Sequence, residues 1–130
     1  MADSGAPATL HLTLEGLRKP RGTVRVCLWS HGDGFPDCKK GAGVVKIHAP
    51  VEGDRVDLDV AALPPGDYGV SVIHDENDNR KLDKSFIGLP MEGVGFSNNA
   101  SAAFGPPKFK RVRFAVAGDT TQTIKLKYYL

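Results

Sequence analysis

Apolar side chains recur at every second position along most of this chain, which is the spacing of a strand with one buried face. Leu10, Leu12 and Leu14 make the first such run, and Val24, Val26 and Leu28 the second. A weaker third run covers Val44 to His48, and the fourth carries Val56, Leu58 and Val60. The fifth, Tyr68 to His74, follows Leu63-Pro64-Pro65-Gly66-Asp67. There proline presets one turn dihedral and glycine accepts positive φ. Val112, Phe114 and Val116 define a sixth run and Ile124, Leu126 and Tyr128 a seventh, joined across Ala117 to Thr121.

No run supports a long amphipathic helix. A single sheet of seven strands would leave one apolar face wet, so two packed antiparallel sheets are expected. The predicted class is an all-β, seven-stranded antiparallel sandwich of immunoglobulin-like or transthyretin-like type. One domain should span residues 8–130, with residues 1–7 as a disordered tail.

Between the fifth and sixth runs lie the 35 residues Asp75 to Phe109, which show no clear period. Loops longer than about 12 to 15 residues are uncommon in compact domains unless they are functional or disordered. This one holds Phe86, Ile87, Leu89, Met91, Val94, Phe96, Phe104 and Phe109. So many apolar side chains argue against disorder, and the loop is expected to fold back onto the sandwich.

Composition changes this picture little. Hydrophobic content of 41% and charged content of 25% are ordinary for a globular domain. No apolar stretch approaches the roughly 20 residues that a membrane-spanning helix needs. A net charge of +2 is too balanced to imply nucleic-acid binding. The N-terminus has neither a basic region nor an apolar one, so it reads as cytoplasmic or as the mature part of an exported protein. Cys27 and Cys38 suffice for one disulfide in an oxidising compartment, or stand as two thiols in a reducing one. With His31 and His48 they could form a zinc site, but their spacing matches no paired Cys-x-x-Cys knuckle.

The chemically distinctive stretch is Asp75-Glu76-Asn77-Asp78-Asn79-Arg80-Lys81-Leu82-Asp83. Oxygen side chains at Asp75, Asn77, Asn79 and Asp83 fall at the first, third, fifth and ninth positions of a calcium loop, and Lys81 would lend its carbonyl at the seventh. Arg80 replaces the glycine of such a loop and Phe86 its bidentate glutamate. Asp and Asn also stabilise tight turns without any ion. His74, just before the loop, reads as a strand-end histidine satisfied by a hydrogen bond or as a metal ligand.

Glu92, Phe96, Ser97, Asn98 and Asn99 place amides beside an aromatic ring, a combination suited to a small-molecule, glycan or peptide ligand. If the last two strands form a hairpin, Arg113 faces Lys125 and Arg111 faces Lys127. Like charges opposed in this way are destabilising, and they suggest a patch for an anionic partner.

Taken together, several segments resemble an uncharacterised bacterial family, the domain-of-unknown-function family number 2141. They are Leu63-Pro64-Pro65-Gly66-Asp67-Tyr68, His74-Asp75-Glu76-Asn77, Lys81-Leu82-Asp83, Gly88-Leu89-Pro90, Glu92-Gly93-Val94-Gly95-Phe96-Ser97-Asn98-Asn99 and Gly105-Pro106-Pro107-Lys108-Phe109. The resemblance spans nearly the whole chain. It implies a periplasmic or secreted protein, and with that location the Cys27 to Cys38 disulfide. The family typically has glycine where Arg80 stands, and the resemblance carries no established activity.

The expected function is a non-enzymatic, monomeric cell-envelope module, with calcium ordering the loop and a ligand surface displayed on it. Three alternatives stand beside it. One is a metal-dependent hydrolase-like enzyme working near His74 and Asp75, another a metal sensor or buffer, and the third a structural domain with no bound metal.

Overall fold

The computed structural model describes residues 6–78 and 92–129. Eight strands, in two sheets, run through them: β1 (Ala8–Glu15), β2 (Thr23–Trp29), β3 (Val45–Pro50), β4 (Val56–Leu63), β5 (Gly66–Asp75), β6 (Gly93–Phe96), β7 (Phe114–Val116) and β8 (Thr120–Lys125). A 3-10 turn, Ser97–Asn99, follows β6, and one short helix, α1 (Phe109–Val112), precedes β7. The fold is all-β, as the alternation predicts.

One sheet has the order β4-β1-β8. The other has the order β3-β2-β5-β6, and β7 pairs with the first residues of β5. The sheets meet through the residues that set the alternation. Leu10, Leu12, Leu14, Val56 and Ile124 from one sheet share a core with Val24, Val26, Leu28, Val70 and Val72 from the other.

Three expectations are corrected. There are eight strands among the described residues instead of seven, and β8 runs parallel to β1, with Leu10 beside Thr120 and Leu14 beside Ile124. Val112 belongs to α1, not to a sixth strand. The last two runs form no hairpin, because β7 pairs with β5 and β8 with β1.

The long segment after β5 also hides a strand. In β6 all four residues are buried, and its alternate side chains face opposite ways. Gly93 and Gly95 face the shared core, where added Cβ atoms would lie 2.5 Å from the Tyr128 ring and 2.7 Å from Ile124 Cγ2. Both positions must lack a side chain for the C-terminal strand to pack so close. Val94 and Phe96 point the other way, into a second cluster with Ala102 and Val112 that Phe35, Ile73 and Phe109 border. Phe35 sits edge-on to Trp29 at 5.1 Å and to Phe109 at 5.6 Å.

Beyond β8 the chain changes sheets. Leu126 N–H still bonds to Glu15 of β1 at 2.9 Å, but Lys127 exchanges two backbone hydrogen bonds with Val94 of β6, at 2.8 and 3.0 Å. One continuous segment therefore stitches both sheets together along this side. The disulfide joins Cys27 on β2 to Cys38 in the β2–β3 connection, with Cα atoms 6.4 Å apart. Both thiols are consumed by it, which rules out the zinc alternative that needed them.

Candidate functional site

Asp75, the first residue of the acid-and-amide stretch, ends β5 fully buried. Its Oδ2 accepts a hydrogen bond from Arg25 Nε at 2.9 Å. Arg25 reaches it because β2 and β5 pair with Thr23 opposite Asp75, which puts Arg25 diagonally across the ladder. The same guanidinium lies 4.0 Å from Asp78 Oδ1, which also accepts from Thr23 Oγ1 at 2.5 Å. Asp78 has a left-handed φ of 54°, and its N–H closes a turn on the Asp75 carbonyl at 3.4 Å.

The stretch therefore begins as a tight turn pinned to β2. Asn77 is exposed on that turn, while Asn79, Lys81 and Asp83 lie outside the described residues. A cation at Asp75 would have to share its carboxylate with Arg25. Among the described residues no group of three or more His, Cys, Asp or Glu is placed to hold a metal ion.

Beside this turn is a network of buried polar groups. Arg18 grips Glu76 with two nitrogens, Nε to Oε1 at 2.5 Å and Nη2 to Oε2 at 3.3 Å, and its guanidinium lies 4.5 Å over the Tyr128 ring. Burial alone pushes the Glu76 carboxyl up, but the hydrogen bond and charge of Arg18 outweigh it and hold the group below the usual glutamate value. The Arg18 guanidinium is raised in turn, chiefly by its hydrogen bond to Glu76. Burial pushes the Tyr128 phenol up.

Tyr128 Oη accepts the Arg18 backbone N–H at 3.1 Å and meets His74 Nδ1 at 2.7 Å. His74 Nε2 meets the Arg21 carbonyl at 2.8 Å. A carbonyl can only accept, so Nε2 is the nitrogen that carries a proton. Both ring nitrogens are thus occupied, and His74 is the satisfied strand-end histidine. Its pairing with Tyr128 is invisible in sequence, as are the roles of Arg18 and Arg25.

The candidate ligand residues make contacts within the fold. Glu92 is 4% exposed, and its Oε2 accepts the Glu76 backbone N–H at 2.9 Å. Phe96 fills the second cluster. Ser97, fully buried, donates to the Val112 carbonyl and accepts the Val70 N–H at 3.0 Å.

Asn98 and Asn99 both adopt left-handed backbone, at φ 60° and 50°. The Asn98 amide nitrogen donates to the carbonyls of Arg111 and Arg113 at 3.2 and 3.0 Å. Its oxygen accepts from Gln122 at 3.2 Å. Asn99 Oδ1 accepts the Lys125 N–H at 3.0 Å. The two amides thereby fasten the turn to α1 and β8.

That joinery gathers the basic residues, though not as predicted. Arg113 does not oppose Lys125 across a hairpin, since no such hairpin exists. Arg111, Arg113, Lys125 and Lys127 are all exposed, and the first three are anchored through their backbone to Asn98 or Asn99. Lys108 and Lys110 are exposed nearby in sequence. Among the described residues none of these six makes an ion pair. From Gly93 onward the sequence has six basic residues against a single acidic one, Asp119.

A hollow of about 50 Å³ is lined by Asn99, Ser101, Lys125 and Lys127. A larger, open concavity of about 390 Å³ is lined by Ser101, Phe104, Lys108, Lys110 and Arg111. Ser101 borders both. No helix among the described residues is long and apolar enough to cross a membrane.

No curated protein and no solved structure matches the chain. Residues 12–125 match the family model described as "Uncharacterized protein conserved in bacteria (DUF2141)", and the chain belongs to that family.

Proposed function

We propose that the protein is a non-enzymatic module of the bacterial cell envelope that binds an anionic ligand on its basic face. The observation that carries this reading is a set of six exposed cations that make no ion pair among the described residues, three of them tied by their backbone to Asn98 or Asn99. A surface kept in this state repels itself, and an anion relieves that repulsion. The polar side chains beneath it are occupied in holding the turn, which makes the face rigid. His74 has both nitrogens engaged and Asp75 faces a guanidinium, so neither is poised to activate water. The envelope location is supported by the Cys27–Cys38 bond, which persists in oxidising compartments.

Calcium held by Asp75, Asn77, Asn79, the Lys81 carbonyl and Asp83 would order the stretch that follows β5. The spacing of those oxygens supports this second reading.

Retention on immobilised dextran sulfate at low salt tests the principal reading. The wild-type protein should be held and released by salt, and the variant Arg111→Gln, Arg113→Gln, Lys125→Gln, Lys127→Gln should elute early. Passage of the wild-type protein straight through the column would overturn it.

A further inference from the structure

The basic face carries one feature that an anionic ligand alone leaves unexplained. Phe104 has a relative exposure of 104%, against 46% for Val45, the other large hydrophobic that is exposed among the described residues. It does not dangle from a loose loop. Gly105 N–H bonds to the Ala102 carbonyl at 3.2 Å, Ala103 N–H to Ser101 Oγ at 3.2 Å, and Ala102 N–H to Tyr129 Oη at 3.3 Å. Ala102 is buried in the second cluster and Pro107 is buried on the other side. The turn between them is anchored at both ends and holds an aromatic ring out into water.

Lys108, Lys110 and Arg111 border the same open concavity as Phe104. Ser101 borders it as well, and also lines the smaller hollow beside Lys125 and Lys127. Among the described residues the arrangement is one projecting aromatic ring with Pro106 and Pro107 beside it and cations along the same open concavity. A protein partner would need a cleft shaped to receive that ring. A bilayer surface needs none, because its headgroup region accepts aromatic rings and presents negative charge all around them. Long basic side chains can lay their stems on the apolar layer and keep their charges at the phosphates.

We propose that this face docks on an anionic lipid surface, with Phe104 entering the headgroup layer and Lys108, Lys110, Arg111, Lys125 and Lys127 meeting lipid phosphates. The proposal rests on the reading of this face as an anion-binding surface and names its partner. Binding is peripheral and reversible, since one ring and a basic patch give far weaker attachment than a spanning helix.

The test is co-sedimentation of the full chain with vesicles of phosphatidylcholine alone and of phosphatidylcholine mixed with phosphatidylglycerol, beside retention on dextran sulfate. The protein should sediment with the mixed vesicles and not with the neutral ones. Phe104→Ala should lower the vesicle partition coefficient about tenfold and leave dextran sulfate retention unchanged. Lys108→Gln with Lys110→Gln should lower both, by about fivefold per charge on vesicles. All these positions are exposed, and unchanged thermal melting would establish that the variants fold. Equal sedimentation of wild type and Phe104→Ala, with dextran sulfate retention intact, would overturn the lipid proposal and leave the anion-binding reading standing. Absence of binding to both vesicles and dextran sulfate would overturn the two together.

Discussion

Glu92 Oε2 accepts the backbone N–H of Glu76 at 2.9 Å, with both residues nearly excluded from solvent. The bond joins the two ends of the stretch between β5 and β6, 16 residues apart in sequence. It makes Glu92 a clasp at the base of that stretch.

Glu92→Ala should therefore destabilise the domain, because it leaves a buried N–H unsatisfied at a cost of about 1–3 kcal/mol. In a chain of this size that lowers Tm by several degrees. Glu92→Gln keeps an accepting oxygen and should recover most of the loss in a thermal melt. Equal losses for both variants would contradict the clasp.

The Arg18–Glu76 pair should show itself in acid. Glu76 is held below its ordinary value, near 4.5, so the folded state binds its proton less readily than the unfolded chain does. The resulting stability is fully present above that value and is lost as pH falls through the lower folded value. Arg18→Gln should lower stability most at neutral pH, and the difference from wild type should shrink as pH falls through the folded Glu76 value. Arg18 is one-third exposed, so solvent screening trims the size of the effect. A loss that stays the same from neutral pH into acid, in melts followed by tryptophan fluorescence, would remove the pair from the account.

Gly95→Ala places a methyl group 2.7 Å from Ile124 Cγ2 in a closed core. Overpacking of this kind costs about 1–3 kcal/mol. Denaturant unfolding should report that loss, and the double variant with Ile124→Ala, which removes Cγ2, should lose less than the sum of the two single changes. A neutral Gly95→Ala would mean that β6 and β8 approach less closely than described.

In the calcium reading the ion would have to compete with Arg25 for Asp75. Arg25→Ala should consequently enlarge the rise in Tm produced by excess calcium over chelator. An equal response in wild type and Arg25→Ala would show that Asp75 is not a ligand.

The sequence made the fold readable where alternation was long and one-sided. Leu10, Leu12 and Leu14 announce β1, and Val24, Val26 and Leu28 announce β2, because only one face of each strand meets the shared core. Alternation reports which face is buried and says nothing of which strand lies alongside. The parallel pairing of β1 with β8 was therefore hidden, and so was the partner of β7. In β6 the face toward the shared core is glycine and the apolar side chains point into a second cluster, so its four residues lose the alternation that marks a strand.

At the site, Asp75 and Glu92 were visible as residue types, but their partners were not. Arg18 lies 58 residues from Glu76 and Arg25 lies 50 from Asp75, distances over which only a folded sheet relates two side chains. Asn98 and Asn99 suggested recognition because amides often serve it. Here the same groups satisfy carbonyls and N–H groups that a left-handed turn brings within reach.

The pairing of β1 with β8 also governs when this molecule can assemble. Thr9 binds Asp119 across 110 residues, and the rungs that follow join the earliest strand to the latest. Contacts of such long sequence separation form slowly, because a large loop must close before they contribute anything. A chain emerging from a ribosome cannot complete the β4-β1-β8 sheet until β8 is out. Closure of this sheet is thereby postponed until β8 is available to it.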